Sequence, residues 1–158
     1  MIRKIESKDN DAIVSVVKQV LTEYRVDPAT TVLGDPRLNS MYKNYLEPRS
    51  VYYVAEINNK IVGGCGIKQL DGGDSDICEL QRMFLLQEAR GKGIGKELLS
   101  ICISEAKKFD YKTIYIESFS QMHDAKLLYK KFGFTDIDGP LGNTGHSSCD
   151  VNMILRIG

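Results

Sequence analysis

The chain of 158 residues is long enough for one ordinary domain with one hydrophobic core and too short for two catalytic domains. Apolar residues make up 42% of it and charged residues 27%, which excludes a disordered chain, a collagen-like repeat and a disulfide scaffold. Its 21 basic and 21 acidic side chains cancel to a formal net charge of zero, so no overall positive field attracts nucleic acid or an anionic membrane. We therefore expect a globular protein without nucleic acid or membrane partners, in which any anion site is local.

The cysteines and the N-terminal residues predict a cytoplasmic location. Four cysteines lie far apart, without the close pairs of zinc or redox motifs: Cys65, Cys78, Cys102 and Cys149. No apolar run follows the basic residues of segment 1–9, and no apolar stretch reaches the roughly eighteen residues of a membrane span. We expect a reduced chain with no signal peptide, no membrane span and no metal.

The N-terminal third of the chain predicts one long and one short helix. Apolar residues at helical spacing predict a helix over residues 9–24, capped by Ser7 or Asp9. Prolines and a glycine oppose regular structure over residues 25–37, and residues 38–46 predict a short helix.

The middle of the chain predicts strands. Residues 51–57 and 60–67 are rich in β-forming side chains and flank an Asn58-Asn59 turn, which indicates a hairpin. Residues 71–76 are typical of a loop, and residues 77–86 predict a third strand.

The remaining elements alternate between helix and strand. Residues 93–109 and 122–132 carry apolar side chains at helical spacing, and a short β-rich run lies between them at residues 113–116. Further strands are predicted near Phe134 and Val151. The order hairpin, strand, helix, strand, helix, strand predicts an α/β domain with a mixed sheet.

A glycine-rich turn between the third strand and the long helix is the clearest candidate binding site. It consists of Arg90, Gly91, Lys92, Gly93, Ile94, Gly95 and Lys96. The unpaired amides of a first helical turn and the helix dipole favour an anion, and glycines let the backbone approach phosphate oxygens closely. The turn therefore predicts a pyrophosphate ligand, with a plain strand-to-helix turn as the alternative.

Spacing excludes two common phosphate-binding motifs. A Walker loop that ends at Gly95-Lys96 would need glycine at Arg90 and a hydroxyl residue at Glu97. A dinucleotide fingerprint that starts at Gly91 would need its last glycine at Lys96. Neither motif is present.

Three ordered segments resemble the GNAT superfamily of acetyl-CoA-dependent N-acetyltransferases. Arg90, Gly93 and Gly95 match the family's Arg/Gln-x-x-Gly-x-Gly/Ala pattern. Residues 78–85 look like its fourth strand, and residues 125–134 look like its Ala-x-x-Leu-Tyr-x-x-x-Gly-Phe segment. The resemblance implies a single GNAT-like domain over residues 1–158, with a mixed, mostly antiparallel sheet flanked by helices.

The resemblance also implies acetyl-CoA as co-substrate, with the Arg90–Lys96 turn on its pyrophosphate. Acetyl would pass directly to a primary amine of a small molecule, peptide or protein. In similar enzymes the fourth strand lies beside the pantetheine arm and donates a backbone N–H to the developing oxyanion. Met83, Phe84 and Leu85 are the corresponding residues.

Two residues match the catalytic positions of the family. Glu79 lies in an otherwise apolar strand, where partial burial favours a general base; the alternatives are a carboxylate on a wet sheet face or a pair with Arg82. Asp76 is a weaker candidate for the base. Tyr129 corresponds to the acid that protonates the thiolate, although its spacing also suits a core tyrosine.

Several features of this sequence leave alternatives open. Met122 stands where many family members have an asparagine that bonds the pantetheine. His146 and Cys149 fall in a glycine-rich loop expected to border the acceptor pocket, which residues 25–50 and 138–150 should build. The alternative function is a noncatalytic acyl-CoA-binding regulatory module, and a homodimer is compatible with the fold.

Overall fold

Four α-helices and seven β-strands form in the residues that the computed structural model describes, which are 1–26, 32–145 and 149–158. The helices are α1 (Asn10–Glu23), α2 (Met41–Asn44), α3 (Ile94–Lys108) and α4 (His123–Lys131). The strands are β1 (Ile2–Lys4), β2 (Val51–Ile57), β3 (Lys60–Gln69), β4 (Ile77–Leu85), β5 (Thr113–Ser118), β6 (Thr135–Asp136) and β7 (Val151–Arg156). No described helix is long and apolar enough to cross a membrane.

All seven strands join one sheet in the order β1-β2-β3-β4-β5-β7-β6. Only the β4–β5 pair is parallel in the described sheet, which confirms the predicted mixed, mostly antiparallel architecture. β2 and β3 form the predicted hairpin, and Asn58 and Asn59 both adopt positive φ angles, 51° and 64°, as a type I′ turn requires. β1 is not predicted by the sequence, because three residues carry too little periodicity to reveal an edge strand.

Helices cover both faces of the sheet. The Tyr53 hydroxyl donates to Glu105 Oε1 of α3 at 2.9 Å, whereas the neighbouring Tyr52 ring packs against Tyr45, directly after α2, with centroids 5.2 Å apart. Because successive strand residues point to opposite faces, α2 and α3 lie on opposite sides of the sheet. The α3 face is closed by fully buried side chains: Leu98, Leu99, Cys102 and Ala106.

The predicted first helix is confirmed, and Asp9 occupies its N-cap position, but the Asp9 side chain makes no capping hydrogen bond. Ser7, the other predicted cap, lies in a 3₁₀ turn. The Asp9 carboxylate instead accepts from Arg3 at 2.7 and 2.9 Å and from the Glu6 amide at 2.8 Å. A guanidinium within reach makes charge-assisted bonds that are stronger than an ordinary cap.

The short helix predicted over residues 38–46 is split in two. A 3₁₀ segment runs over Pro36–Ser40, begins on the Asp35 side chain and leads directly into α2. Together, the 3₁₀ segment and α2 bring the Tyr45 ring against Tyr52 of β2.

Candidate active site

The parallel pair β4 and β5 opens into a gap. In the described sheet the two strands pair only at Ile77–Thr113, Cys78–Ile114 and Glu79–Tyr115. Beyond these pairs, residues 80–85 stay bonded to β3 and residues 116–118 to β7. We call the space between these two unpaired segments the β4–β5 gap; Glu79 and Tyr115 lie where it begins.

A bulge shapes β4 along this gap. Gly66 pairs with Gln81 and Gly64 with Phe84, so Arg82 and Met83 together oppose one residue of β3. Arg82 adopts a φ of 51°, in the left-handed region that few non-glycine residues occupy. Such bulges redirect a strand beside active sites, and here the bulge falls directly before Met83–Leu85.

The N-terminus of α3 lies at the end of β4 and is open to solvent. Gly93 begins the helix with a φ of 79° and no side-chain cap, and Gly91 has a φ of 75°. A Cβ atom at either glycine would meet no atom within 4 Å. Lys92 and Lys96 are exposed beside them. Open first-turn amides, a helix dipole and two ammonium groups fit the diphosphate of acetyl-CoA.

Arg90, the third cation of the predicted turn, is bonded to other parts of the protein. Its guanidinium forms a bidentate ion pair with Glu23 of α1, at 2.6 and 2.9 Å, and donates to the Leu85 carbonyl at 3.1 and 2.9 Å. These bonds fix the end of β4 and the turn against α1. The exposed cations that remain at the turn are Lys92 and Lys96.

Gly95 sets how closely α3 approaches β4. A Cβ atom there would lie 3.3 Å from Leu85 Cδ1, 3.4 Å from Met83 Cε and 3.4 Å from Leu128 Cδ2 of α4. The absence of a side chain therefore brings the first turn of α3, the end of β4 and α4 into contact.

Glu79 is buried on the α2 face of the sheet, with 4% of its surface exposed. Gln81 Nε2 donates to Glu79 Oε1 at 2.8 Å. Neither alternative from the sequence applies, because Glu79 is not on a wet face and Arg82 bonds Tyr45 and Asp35. Asp76, the weaker candidate for the base, is exposed before β4 begins.

Tyr129 lies on α4 with 4% of its surface exposed, and its ring packs against Phe134 at 5.9 Å. Among the described residues its hydroxyl has no hydrogen-bond partner. Burial raises the pKa of Tyr129 well above its ordinary value, so the phenol stays protonated at neutral pH. The neighbouring Leu128 lies against Gly95, in the first turn of α3.

Residues that the sequence analysis did not select surround Glu79. Tyr45 and Gln81 are linked to its carboxylate through hydrogen bonds, and on β5 the Tyr115 hydroxyl lies 2.8 Å from Glu117 Oε2. Gln81 and Glu117 could have been found by strand periodicity, since each lies two residues after a residue of the site. Tyr45 carries no such signal, because only the fold brings it to the sheet.

The loop before β7 borders this region. The Leu141 amide donates to the Tyr115 hydroxyl at 3.1 Å, and the Thr144 hydroxyl bonds Glu117. Burial, with the charges of Glu117 and Glu79, raises the pKa of Cys149 to about 12, so this thiol is not a nucleophile at neutral pH. His146 lies outside the described residues.

Two other features bear on the chemistry. Met122, at the start of α4, is buried and offers no side-chain amide to a pantetheine arm. Over the described ranges, no three His, Cys, Asp or Glu side chains are grouped to hold a metal ion.

Comparisons with known proteins agree with this geometry. The model of the acetyltransferase (GNAT) family matches residues 18–134. YjgM of Escherichia coli (strain K12), named an uncharacterized N-acetyltransferase, is 40% identical over 99% of this chain and 95% of its own. A GNAT acetyltransferase of Staphylococcus aureus Mu50 superimposes with a TM-score of 0.86 at 22% identity, covering 99% and 98% of the two chains. A predicted acetyltransferase of Clostridium acetobutylicum, solved with acetyl-CoA, does so with a TM-score of 0.72 at 25% identity over 89% and 93%. The chain belongs to the GNAT family of acetyltransferases, enzymes that use acetyl-CoA.

Proposed function

We propose that this protein acts as one domain that transfers acetyl from acetyl-CoA directly to a primary amine of a small molecule or peptide. Glu79 is the general base and Tyr129 the general acid. The observation that supports the proposal is a buried carboxylate where the β4–β5 gap begins, in a protein that also has an open N-terminus of α3 and a buried, protonated phenol on α4.

Acetyl-CoA supplies the activated acetyl group as a thioester. The first-turn amides of α3, with Lys92 and Lys96, bind its diphosphate, and Gly91 and Gly93 leave the backbone accessible. The backbone of Met83, Phe84 and Leu85 lines the gap beside the pantetheine arm. A backbone N–H from this segment donates to the carbonyl oxygen that gains negative charge.

Glu79 makes the acceptor nucleophilic. An alkylamine with a pKa near about 10 is mostly ammonium at neutral pH. Glu79 takes one proton from it, directly or through water, and the free amine attacks the carbonyl carbon. Burial of Glu79 excludes bulk water from this step.

Tyr129 completes the transfer. As the C–N bond forms and the C–S bond breaks, Tyr129 donates its phenolic proton to the sulfur. The second proton lost by nitrogen restores the phenol, and the proton on Glu79 passes to solvent. One proton is thus released for each acetyl transferred.

The acceptor pocket lies on the α2 face. Tyr45 follows α2 on one side of Glu79, and Thr144 with Leu141 borders β5 on the other. Glu79 and Glu117 lie on this same face, since Glu79 pairs in register with Tyr115 and Glu117 follows two residues later. Two carboxylates favour an acceptor that arrives as a cation.

The base assignment is tested by replacing Glu79 with glutamine. Glu79→Gln should lower turnover by about 10²–10⁴ and remove the acidic limb of the pH–rate profile. Thiol release is measured against a panel of primary amines, with Asp76→Asn as the exposed matched control. Retention of the acidic limb in Glu79→Gln would contradict the proposal.

A further inference from the structure

The carboxylate of Glu79 accepts from a buried chain of hydrogen bonds. Arg82 Nη1 donates to the Tyr45 hydroxyl at 2.9 Å, the Tyr45 hydroxyl donates to Gln81 Oε1 at 2.5 Å, and Gln81 Nε2 donates to Glu79 Oε1 at 2.8 Å. All four side chains are buried, none more than 8% exposed. This chain of hydrogen bonds links Tyr45, directly after α2, to β4.

The direction of every bond in this chain is set by Arg82, because a guanidinium can only donate. Since Tyr45 accepts from Arg82, its own proton points to Gln81 Oε1, which also accepts from Arg82 Nη1 at 3.2 Å. The Gln81 amide cannot be flipped without placing its NH₂ group against two donors. Its nitrogen therefore faces Glu79 as a donor.

Arg82 is itself held in place. Asp35 accepts from Arg82 Nη2 at 3.3 Å and forms a closer ion pair with Arg37 at 2.8 Å. The Tyr52 hydroxyl donates to the Arg82 carbonyl at 2.7 Å, on the residue with the left-handed backbone. These contacts anchor the cationic end of the chain.

We propose that Gln81, oriented by Tyr45 and Arg82, is a positioning residue that holds the Glu79 carboxylate in place and favours its ionised form. The inference rests on the proposed function, in which Glu79 is the base. A buried carboxylate without donors would be protonated and could not accept a proton at neutral pH. The Gln81 amide donates to Glu79 through its nitrogen, while its oxygen accepts from the Arg82 guanidinium. This arrangement polarises the amide toward the carboxylate and offsets the free-energy cost of burying that charge.

Tyr45 can fill this role because it remains a donor. Burial raises the pKa of Tyr45 to about 12, against the opposing charge of Arg82. No proton needs to pass along the chain during turnover, so Tyr45 and Gln81 act through Glu79.

Other charged and titratable groups face Glu79 from the elements packed around it. In the part of the chain that the structure describes, they include Lys68 of β3, Arg82 of β4, Tyr115 and Glu117 of β5, Tyr45 and Glu47 after α2, and Cys149 before β7. Lys68, in register with Glu79, donates to Asn44 Oδ1 at 2.6 Å and pairs with Glu47 at 3.0 Å. The test therefore changes only the neutral members of the chain and leaves these charges in place.

The experiment measures the ionisation of Glu79 directly. Protein carrying ¹³C at the glutamate carboxyl carbon is titrated by NMR, and the Glu79 signal is assigned by its loss in Glu79→Gln. Gln81→Met removes the donor at similar volume, and Tyr45→Phe removes only the hydroxyl that orients it. The midpoint of the Glu79 titration should move to higher pH by about 0.5 to 1 unit in Gln81→Met, and by less in Tyr45→Phe. The acidic limb of the pH–rate profile should move by the same amount.

Tyr111→Phe is the matched control. Tyr111 is also buried and its hydroxyl donates to the Arg49 carbonyl at 2.8 Å, outside the chain, so this variant should leave the Glu79 midpoint unchanged. If Gln81→Met does not fold, as judged by circular dichroism, the Glu79 midpoint in the conservative variant Tyr45→Phe provides the test. An unmoved or lowered midpoint in the folded variants overturns the positioning role. That result is distinct from an acidic limb that survives Glu79→Gln, which would overturn the proposed function instead.

Discussion

At two buried residues, Tyr129 and Glu79, burial favours the protonated form, which suits an acid and opposes a base. Burial keeps the Tyr129 phenol protonated, which is the form that an acid needs. The same burial would also protonate Glu79, and there it is opposed by the donor on Gln81. The two groups differ in their surroundings, because Glu79 has a donor in Gln81 and the Tyr129 hydroxyl has no hydrogen-bond partner among the described residues.

Removal of the Tyr129 hydroxyl tests the acid at this scale. Tyr129→Phe should lower turnover by about 10²–10⁴ while acetyl-CoA affinity, measured by calorimetry, changes little. The ring still packs against Phe134, so the fold is retained. Tyr42→Phe, at a partly buried tyrosine on α2, is the control. Near-normal turnover of Tyr129→Phe would show that another group protonates the thiolate.

At the scale of elements, the contact between β4 and the first turn of α3 forms the proposed binding site. The β4 bulge, the loss of pairing with β5 and the left-handed glycines before α3 all lie within one short stretch of chain. Arg90 fixes this stretch to α1 through Glu23. A cofactor bound here therefore contacts elements that are already held in position, which lowers the entropic cost of binding.

Gly93→Ala tests whether the open turn binds acetyl-CoA. A methyl group at a φ of 79° strains the backbone and projects into the open space where the diphosphate would lie. We expect acetyl-CoA affinity to fall on the order of tenfold or more, with a stability loss of about 1–2 kcal/mol. Calorimetric titration and thermal unfolding measure these two effects.

Gly133→Ala is the matched control, because Gly133 also has a positive φ, 97°, but lies after α4 against Leu155. It should show a similar strain and unchanged affinity. Equal loss of affinity in the two variants would indicate a general effect of strain and argue against the turn as the binding site.

At the scale of the whole molecule, the N-terminal edge of the sheet is tied to the helical layer by charge. Arg3 of β1 pairs with both Asp9, before α1, and Glu56 of β2. Asp9 is 3% exposed, and hydrogen bonds from Arg3 lower its pKa below the ordinary value. Because this pKa is lower in the folded than in the unfolded chain, the stabilisation is complete above about pH 4 and is lost as the pH falls through the folded value.

Asp9→Asn should therefore lower the free energy of unfolding by about 1–3 kcal/mol at pH 7 and by progressively less below about pH 4. Denaturant unfolding across this pH range measures the difference. Asp74→Asn, at an exposed loop carboxylate, should change stability by no more than about 0.5 kcal/mol. If the loss of unfolding free energy in Asp9→Asn does not become smaller below about pH 4, the ion pair with Arg3 is excluded as its cause.

The amino-acid sequence by itself determined most of the element order and the location of the proposed anion-binding turn. Helical spacing over residues 9–24 and 93–109, β-rich runs and an Asn-Asn turn are local signals, and local sterics decide them. The glycine spacing after Arg90 was equally local and distinguished this turn from other phosphate loops. Family membership followed from these motifs and was confirmed by the comparisons.

Only the tertiary structure decided the partners of these residues. Arg90 pairs with Glu23, Asp9 pairs with Arg3, and Tyr45 reaches Gln81 across 36 positions of sequence. No periodicity records such contacts, because each depends on how two elements cross and on which buried donor finds which acceptor. The environment of Glu79 is therefore a property of the packed sheet and helices, although the residue itself can be recognised in the sequence.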